Sequence, residues 1–404
     1  MPVHPAKPWE FSVDLLLVTV IALVALALLF DFTNGFHDAA NSVATVVATR
    51  TLPAKWAVVF SAFFNFVAYF WVGTAVANTV GKVVSPDFSS VAVIFGALVG
   101  AITWNYVTWW VGMPSSSSHA LIGGLVGAGL AAGWLDAIDW EKVRGTALAI
   151  VISPFVAFTI AFLAMFLVAG LQKITKWHDN AKPFKGLQLV SAAAVSFGHG
   201  ANDAQKTMGV IAALLFGAGY TQLDGDGNVV VPEWAALSAY TAIALGTMWG
   251  GWKIIETMGL RITQLHASSG VAANIGATTA IFGATSMGIP ISTTHAAASS
   301  VMGAGVSSGR GINVKVVSEM VLAWLVTIPA TAAIAFGVYE LTQLPTAAAW
   351  VAVGSLLFVI GGWVAYAMTH SIGSKEIEEE LLPEEALDAH IPVHPHLTGE
   401  GPVE

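Results

Sequence analysis

Within eleven positions, the stretch DFTNGFHDAANSVATV (31–46) carries Asp31, Asn34, His37, Asp38 and Asn41, directly behind the apolar run at 15–30. A helix that only anchors a chain in lipid has no use for these groups. An ionisable side chain inside a membrane span costs at least ~2.5–3.5 kcal/mol on insertion scales, so it normally faces a cavity or a partner. A similar stretch, SFGHGANDAQKTMGVI, returns at 196–211. His37-Asp38-Ala39 aligns with Asn202-Asp203-Ala204, Gly35 with Gly200 and Ser42 with Thr207. Buried carboxylates in this setting can bind a cation, take a proton, or accept a hydrogen bond from a protonated oxyanion. Lys206 takes the place of Asn41, three residues after Asp203, where its ammonium can pair with that carboxylate or reach an anion. It would also repel a metal ion. His37 replaces Asn202 and offers a group that titrates near neutral pH.

A second motif is also duplicated. MPSSSSHALIGGLVGAG (113–129) aligns with IPISTTHAAASSVMGAG (289–305), pairing Pro114 with Pro290, Ser116 with Ser292, His119 with His295, Gly127 with Gly303 and Gly129 with Gly305. In each copy a proline ends one helix and hydroxyl residues open the next. Ser and Thr are good N-caps, and the first turn of a helix leaves backbone N–H groups unpaired. Those donors, the positive end of the helix dipole and the hydroxyls make an anion site that needs no fixed cation. Ser116, Ser117, Ser118, Ser292, Thr293 and Thr294 are therefore candidates to surround a small tetrahedral oxyanion. The bland alternative has the hydroxyls bonding back to carbonyls of their own helix. A single Ser-rich stretch would favour that alternative; two matched copies after proline favour the anion.

His119 and His295 follow the caps, either to orient hydroxyls, to carry a proton, or as buried structural groups. An intramembrane serine hydrolase is disfavoured because the hydroxyl run is duplicated and lacks a GxSx nucleophile pattern, so no enzyme is expected. Two carboxylates beside an anion tilt the substrate towards phosphate, which can carry a proton for them near neutral pH. Sulfate cannot.

The elements that must hold these residues are membrane helices. The chain has 404 residues, 56% hydrophobic and only 10% charged, with a mean hydropathy of +0.73. Runs at 15–30, 91–102, 147–171 and 347–368 are long enough, or nearly so, to cross a hydrocarbon core of about 30 Å. The first run has only Lys7 before it and no small-residue cleavage site, which reads as a retained span rather than a signal peptide. The 40 glycines suit close helix–helix approach, and the 15 tryptophans are interfacial anchors by default. Asn65, Asn105 and Asn274 are candidates for interhelical hydrogen bonds. Glu256 is expected to pair with Lys253, and Asp31 to cap or to lie at an entrance. With no cysteine there is no disulfide or thiolate site to consider, and no cofactor is expected.

The formal charge of −9 misleads about partners. Nine of the 25 acidic residues follow Lys375, leaving 16 acids against 16 bases in the membrane body. That tail reads as solvated and largely disordered. Its His390, His394 and His396 have no fold to hold a metal, and nucleic acid binding has no support. The loop LQKITKWHDNAKPFKG carries Lys173, Lys176, Lys182 and Lys185, so it should stay cytoplasmic. One span later the acidic TQLDGDGNVVVPE suits the opposite side. The expected organisation is an N-terminal segment (1–12), a first transmembrane repeat (13–170), a basic cytoplasmic linker (171–186), a second repeat (187–368) and the acidic tail (369–404). The fold class is an all-α polytopic membrane protein of about ten to twelve membrane segments. Two inverted repeats with broken helices and re-entrant helical hairpins are the pattern of secondary transporters.

With both motif pairs in view, the chain resembles the inorganic phosphate transporter (PiT) family. The resemblance is carried by NGFHDAANSVATVVATR (34–50), GHGANDAQKTMGVI (198–211), the two PSSSSH- and PISTTH-type stretches, and ALGTMWGGWKIIETMG. It implies a multi-pass secondary transporter of the cytoplasmic (inner) membrane, in contact with membrane lipid, often a homodimer, with inorganic phosphate as substrate. Carried over to matching positions, the implied phosphate site is Asp38, Asn41, Ser116, Ser117, Ser118, Asp203, Ser292, Thr293 and Thr294, to which Lys206 is added. Coupling-ion candidates are Asp38, Asp203, His37 and Asn202. Sodium-coupled members resemble GAND followed by Asn in both repeats; here His37 and Lys206 depart from that pattern. They point instead to a branch similar to proton-coupled bacterial carriers, which take up phosphate often as a neutral metal complex. Sodium coupling, sulfate transport and a passive anion channel are the alternatives.

Overall fold

The computed structural model describes residues 13–381; the tail histidines lie outside them. Among the described residues the chain is helical, with two isolated bridges and no strand. The first half runs α1 (Val13–His37), α2 (Ala40–Ala48), α3 (Ala54–Val67), α4 (Ala75–Val80), α5 (Val91–Trp110), α6 (Ser117–Gly133) and α7 (Trp140–Thr175). The second runs α8 (Lys182–Gly217), α9 (Glu233–Trp249), α10 (Trp252–Glu256) with a π-helical turn at Thr257–Arg261, α11 (Ala267–Ser286), α12 (Thr293–Ser307), α13 (Val314–Thr342) and α14 (Thr346–Thr369). A short α15 (Ser374–Glu380) closes the described chain.

Among the described residues six stretches are long and apolar enough to cross a membrane: Leu15–Ala48, Val91–Trp110, Ser117–Ala137, Trp140–Thr175, Val314–Thr342 and Thr346–Thr369. The protein is an all-α, multi-pass membrane protein. Its polarity is inverted relative to a soluble domain. Phe155, Leu167, Leu325 and Phe358 are exposed on the outside, while Asp31, Asp38, Asp203 and Lys206 are at most 1% exposed. α8 and the α11–α12 pair fall outside the six because they carry the buried polar groups instead of continuous apolar surface.

Packing follows an exchange between the halves. The α5–α6 hairpin lies against α13, and the α11–α12 hairpin against α7; α1 packs on α9 while α3 packs on α8. Close approach requires glycine at matched positions. A methyl group on Gly127 of α6 would collide with the Ala332 carbonyl of α13, and one on Gly303 of α12 with the Phe158 carbonyl of α7. The base of α5–α6 is tied near the C-terminal end of α8, where Ser85 N–H donates to the Ala137 carbonyl at 2.8 Å and Lys82 to Asn228 at 2.8 Å. The base of α11–α12 is tied at the other end of α8. There Ala267 N–H donates to Asn180 at 3.0 Å, Ser268 to Asp179 at 2.5 Å and Arg310 to Asp179 at 3.2 Å. The tips meet between: Ser118 Oγ donates to the Ile291 carbonyl at 2.7 Å.

Three expectations need correction. The helix break falls in the first copy of the Asp motif only. There Asn41 N–H bonds the Asp38 carbonyl and Ser42 N–H the Ala39 carbonyl, a tightened turn between α1 and α2, whereas α8 passes through GHGANDAQK without interruption. Within the two Asp motifs the irregular backbone is thus confined to Asp38-Ala39, and the side chains of α8 are presented from a regular helix. The acidic tail is not irregular from its start: α15 is folded because Glu378 accepts from Ala54 N–H at 3.1 Å at the start of α3, and Arg50 donates to the Leu381 carbonyl at 3.0 Å. Glu256 pairs with Arg261 rather than Lys253, across the π-helical turn, while Lys253 donates to the Trp110 carbonyl at 2.8 Å.

Candidate functional site

The two carboxylates are brought together by the α1–α2 turn and α8, beneath the hairpin tips. Asp38 is fully engaged: Oδ1 meets His37 Nδ1 at 2.7 Å and Thr294 Oγ1 at 3.1 Å, and Oδ2 accepts from Ser117 Oγ at 2.8 Å. Asp203 pairs with Lys206 Nζ at 2.8 Å, accepts from Thr293 Oγ1 at 3.3 Å, and lies 3.5 Å from His199 Nε2. Each carboxylate therefore takes a hydroxyl from the α12 start, and Asp38 takes one from the α6 start as well. Lys206 Nζ reaches further, donating to Ser118 Oγ at 2.5 Å. Asn41 Nδ2 donates to Thr293 at 3.2 Å and Thr294 at 3.1 Å. Residues from 38 to 294 thus converge on one buried group.

Ser116 and Ser292 play a different part. Their hydroxyls accept from His119 N–H at 3.2 Å and His295 N–H at 3.1 Å, as N-caps of α6 and α12. Capping fixes the first turns and leaves Ser117, Thr293 and Thr294 facing the carboxylates, while Ser118 faces Lys206 and the Ile291 carbonyl. The capped histidines meet edge to face, with ring centroids 4.5 Å apart, and His295 stacks on Trp324 at 3.9 Å. The duplicated histidines hold the two tips together.

Asn202 does not join the carboxylate group. Its amide donates to Thr285 Oγ1 at 2.9 Å and the Ile289 carbonyl at 3.3 Å, and its oxygen accepts from Ile291 N–H at 3.4 Å. One residue from Asp203 on a regular helix is a rotation of about 100°, which turns Asn202 to the α11–α12 link. Its expected place beside a coupling ion is corrected to a clamp on that link. His37, by contrast, bridges Asp38 to a hydroxyl pair on the first hairpin: Nε2 lies 3.0 Å from Thr108 Oγ1 and 3.3 Å from Ser115 Oγ.

Sequence reasoning missed several supports. His199 sits one helical turn before Asp203, and its Nδ1 is 3.2 Å from Asn65 Oδ1, whose amide donates to Thr247 at 2.8 Å. The GHGAND stretch held that signal, since an i, i+4 spacing puts His199 and Asp203 on one face. Gln188 accepts from Thr49 at 2.9 Å and donates to the Thr45 carbonyl at 2.9 Å, tying α2 to α8. Asn65 and Asn274 do form interhelical bonds, the latter accepting from Thr45 at 3.1 Å. Asp31 is buried at 0% exposure, neither a cap nor an entrance.

Asp38, His199 and Asp203 bring ligand atoms within 4.8 Å of one another. A divalent cation there would have to displace the Lys206 ammonium from Asp203 and the His37 ring from Asp38. Beside Asn41 and Thr45 lies a shallow groove too narrow for a water molecule, lined by Asn274, Ala277 and Val301 of α11 and α12.

The phosphate transporter family model matches residues 34–335 of this chain, a span that contains both Asp motifs and both hairpin tips. The chain belongs to the phosphate transporter family. A probable low-affinity inorganic phosphate transporter of Rhizobium meliloti (strain 1021) is 47% identical over 317 residues, covering 78% of this chain and 94% of the relative. One of the same description from Bacillus subtilis (strain 168) is 39% identical over 323 residues, covering 79% and 96%. Among solved structures, one described as the sodium-dependent phosphate transporter superposes with a TM-score of 0.73 at 26% identity, over 81% of this chain and 99% of that one. As a family member the protein is a carrier, not an enzyme, and its buried polar centre is where a family-level substrate site is to be sought.

Proposed function

We propose that this chain imports inorganic phosphate across the cytoplasmic membrane by alternating access, coupled to protons. The observation that carries it is the convergence of two hydroxylated helix starts on two carboxylates, with Ser117 and Thr294 on Asp38 and Thr293 on Asp203. Donors and acceptors alternate around one point. A monoprotonated phosphate needs both: its unprotonated oxygens accept from Ser117, Ser118, Thr293, Thr294, Asn41 and Lys206, and its P–OH donates to Asp38 or Asp203. The α6 and α12 first turns add backbone N–H groups and the positive ends of two dipoles. Sulfate lacks the proton that would satisfy the carboxylates.

The repeats are proposed to be inverted. Support comes from hairpin bases at opposite ends of α8 with tips that meet midway. Such paired half-helices rock against one another in alternating access. Proton rather than sodium coupling is supported by Lys206 on Asp203 and His37 on Asp38, which occupy the carboxylate faces that a sodium shell would use. Phosphate entering as a neutral metal complex is compatible with the same charge balance. A homodimer belongs to the proposal and rests on the family resemblance alone.

Proteoliposome uptake tests the reading. Wild-type vesicles should concentrate labelled phosphate against its gradient when a pH difference is imposed, and far less when sodium or labelled sulfate is substituted. Asp203→Asn should abolish uphill uptake, because the variant loses the ion pair with Lys206 and replaces the charged acceptor for P–OH with a weaker neutral one. Undiminished accumulation by that variant would remove Asp203 from the mechanism, and downhill flux only in the wild type would favour a passive channel.

A further inference from the structure

Asp31 lies seven residues before Asp38 on α1, on the same helical face and about 10 Å away along the axis. Its environment is unlike that of the other two buried carboxylates. Asp38 has His37, Ser117 and Thr294; Asp203 has Lys206 and Thr293. Asp31 is 0% exposed, and among the described residues no hydrogen bond of ordinary length reaches either oxygen, the hydroxyl of Thr207 and the amide of Asn34 lying nearest. Around it stand Asn34 on α1, Thr207 on α8 and Tyr240 on α9. Both amide atoms of Asn34, Thr207 Oγ1 and the Tyr240 hydroxyl are likewise buried and unpartnered. Four side chains from three helices thus bring unpartnered oxygen and nitrogen atoms to one buried place.

Such a cluster is costly. A buried polar group without a partner loses roughly 1–3 kcal/mol, and a bare buried charge loses more. The charged groups that face Asp31 are Asp203 and Lys206 on α8. Lys206 is already committed to Asp203 and Ser118. On α9 the titratable neighbour is Tyr240, and α5, which also packs on α1, brings Tyr106 against Phe36 rather than Asp31. Among the described residues Lys206 is thus the one cation facing Asp31, already shared with Asp203, which itself repels an Asp31 carboxylate. A proton on Asp31 removes the charge and supplies a donor for Thr207, Asn34 or Tyr240. A sodium ion would add positive charge next to Lys206.

We infer that Asp31, lodged among Asn34, Thr207 and Tyr240, carries the coupling proton, while Asp38 and Asp203 serve the substrate. This assignment rests on the proposed proton-coupled import of phosphate and moves the proton away from the carboxylates first considered for it. In the closed arrangement Asp31 is a neutral acid. When movement of α1 against α8 and α9 admits water, its O–H bond breaks, the proton passes to water on that side, and the carboxylate left behind is hydrated. Reprotonation from the opposite side completes the cycle.

The test uses full-length protein in proteoliposomes and compares wild type, Asp31→Asn and Asp31→Glu. Asp31→Asn mimics the neutral acid, so it should keep exchange of labelled phosphate across the membrane but lose accumulation driven by a pH difference and the proton movement that accompanies phosphate. Asp31→Glu should regain both in part. Accumulation and proton movement at wild-type level in Asp31→Asn would overturn the assignment. If Asp31→Asn cannot exchange at all, infrared spectra of the wild type decide. A carbonyl band of a neutral carboxylic acid at neutral pH sustains the proposal, and its absence overturns it. Wild-type vesicles that take up no phosphate would end the transport reading itself. Wild-type uptake driven by sodium but not by pH would leave phosphate transport standing and end only the proton assignment.

Discussion

Lys206 is 1% exposed, one of the largest side chains the fold encloses, and its ammonium is shared between Asp203 at 2.8 Å and Ser118 at 2.5 Å. Removing one partner from a buried pair costs about 3–5 kcal/mol, because the other charge stays behind without water. Lys206→Met should therefore lower the unfolding midpoint in detergent sharply, and Asp203→Asn combined with Lys206→Met should recover much of the loss. A double variant no more stable than Lys206→Met would show that the pair is not what holds α8 to the α6 tip. At this scale the sequence was informative where chemistry repeats. Asp38, Asp203, Lys206 and the four inner hydroxyls all meet, because duplicated motifs in one chain imply a shared point. Partners such as Thr108, Asn65 and Gln188 were not legible as such. Each is a single polar residue in an apolar helix, and its partner is set by the rotation of that helix against another, which no local spacing encodes.

Between the residues and the whole stands the hairpin. Its tips were legible from PSSSSH and PISTTH, since proline followed by N-cap hydroxyls forces a helix to end and another to begin. Its bases were not, because they are tied by loop residues of no recognisable pattern. At the base of α11–α12, Asp179 accepts from Ser268 at 2.5 Å, Gln172 at 2.8 Å and Arg310 at 3.2 Å. Burial alone would push the Asp179 carboxyl up, but hydrogen bonds from Ser268 and Gln172, the nearby His266 and Arg310 outweigh it and hold the group at about 2, below its ordinary 3.8. A carboxyl depressed in the folded state binds fewer protons there than in the unfolded chain, so its stabilisation is complete above the ordinary value and fades as pH falls towards 2. Asp179→Asn should thus unfold more easily than wild type at neutral pH, with the gap closing as pH is lowered from about 4 towards 2. Thermal melts of both proteins across that range check it; a gap that does not depend on pH would mean the carboxylate's charge is not what closes the base. The uninterrupted α8 and the folded α15 belong to the same scale: whether a polar stretch unwinds, or an acidic one coils against α3, depends on a neighbouring surface rather than on composition.

For the whole molecule, orientation follows from where α8 ends. A helix of 36 residues is about 54 Å long, well beyond the ~30 Å hydrocarbon core, so its two ends must emerge on different sides. The base of one hairpin is fastened near each end, and the exchanged packing of α5–α6 on α13 and of α11–α12 on α7 repeats the same relation with the halves reversed. Basic residues cluster before α8, at Lys173, Lys176, Lys182 and Lys185, while Asp224 and Asp226 lie beyond it, the charge distribution expected of an α8 whose start faces the cytoplasm. The chain contains no cysteine, so single introduced thiols report position without interference. Both Lys182 and Asp226 are exposed. In intact cells a membrane-impermeant maleimide should label Asp226→Cys, and Lys182→Cys only after the membrane is opened. Labelling of both from one side would sink the inverted arrangement, since the two hairpins would then enter from the same face. Labelling of Lys182→Cys alone from outside would keep the inversion but turn the molecule over.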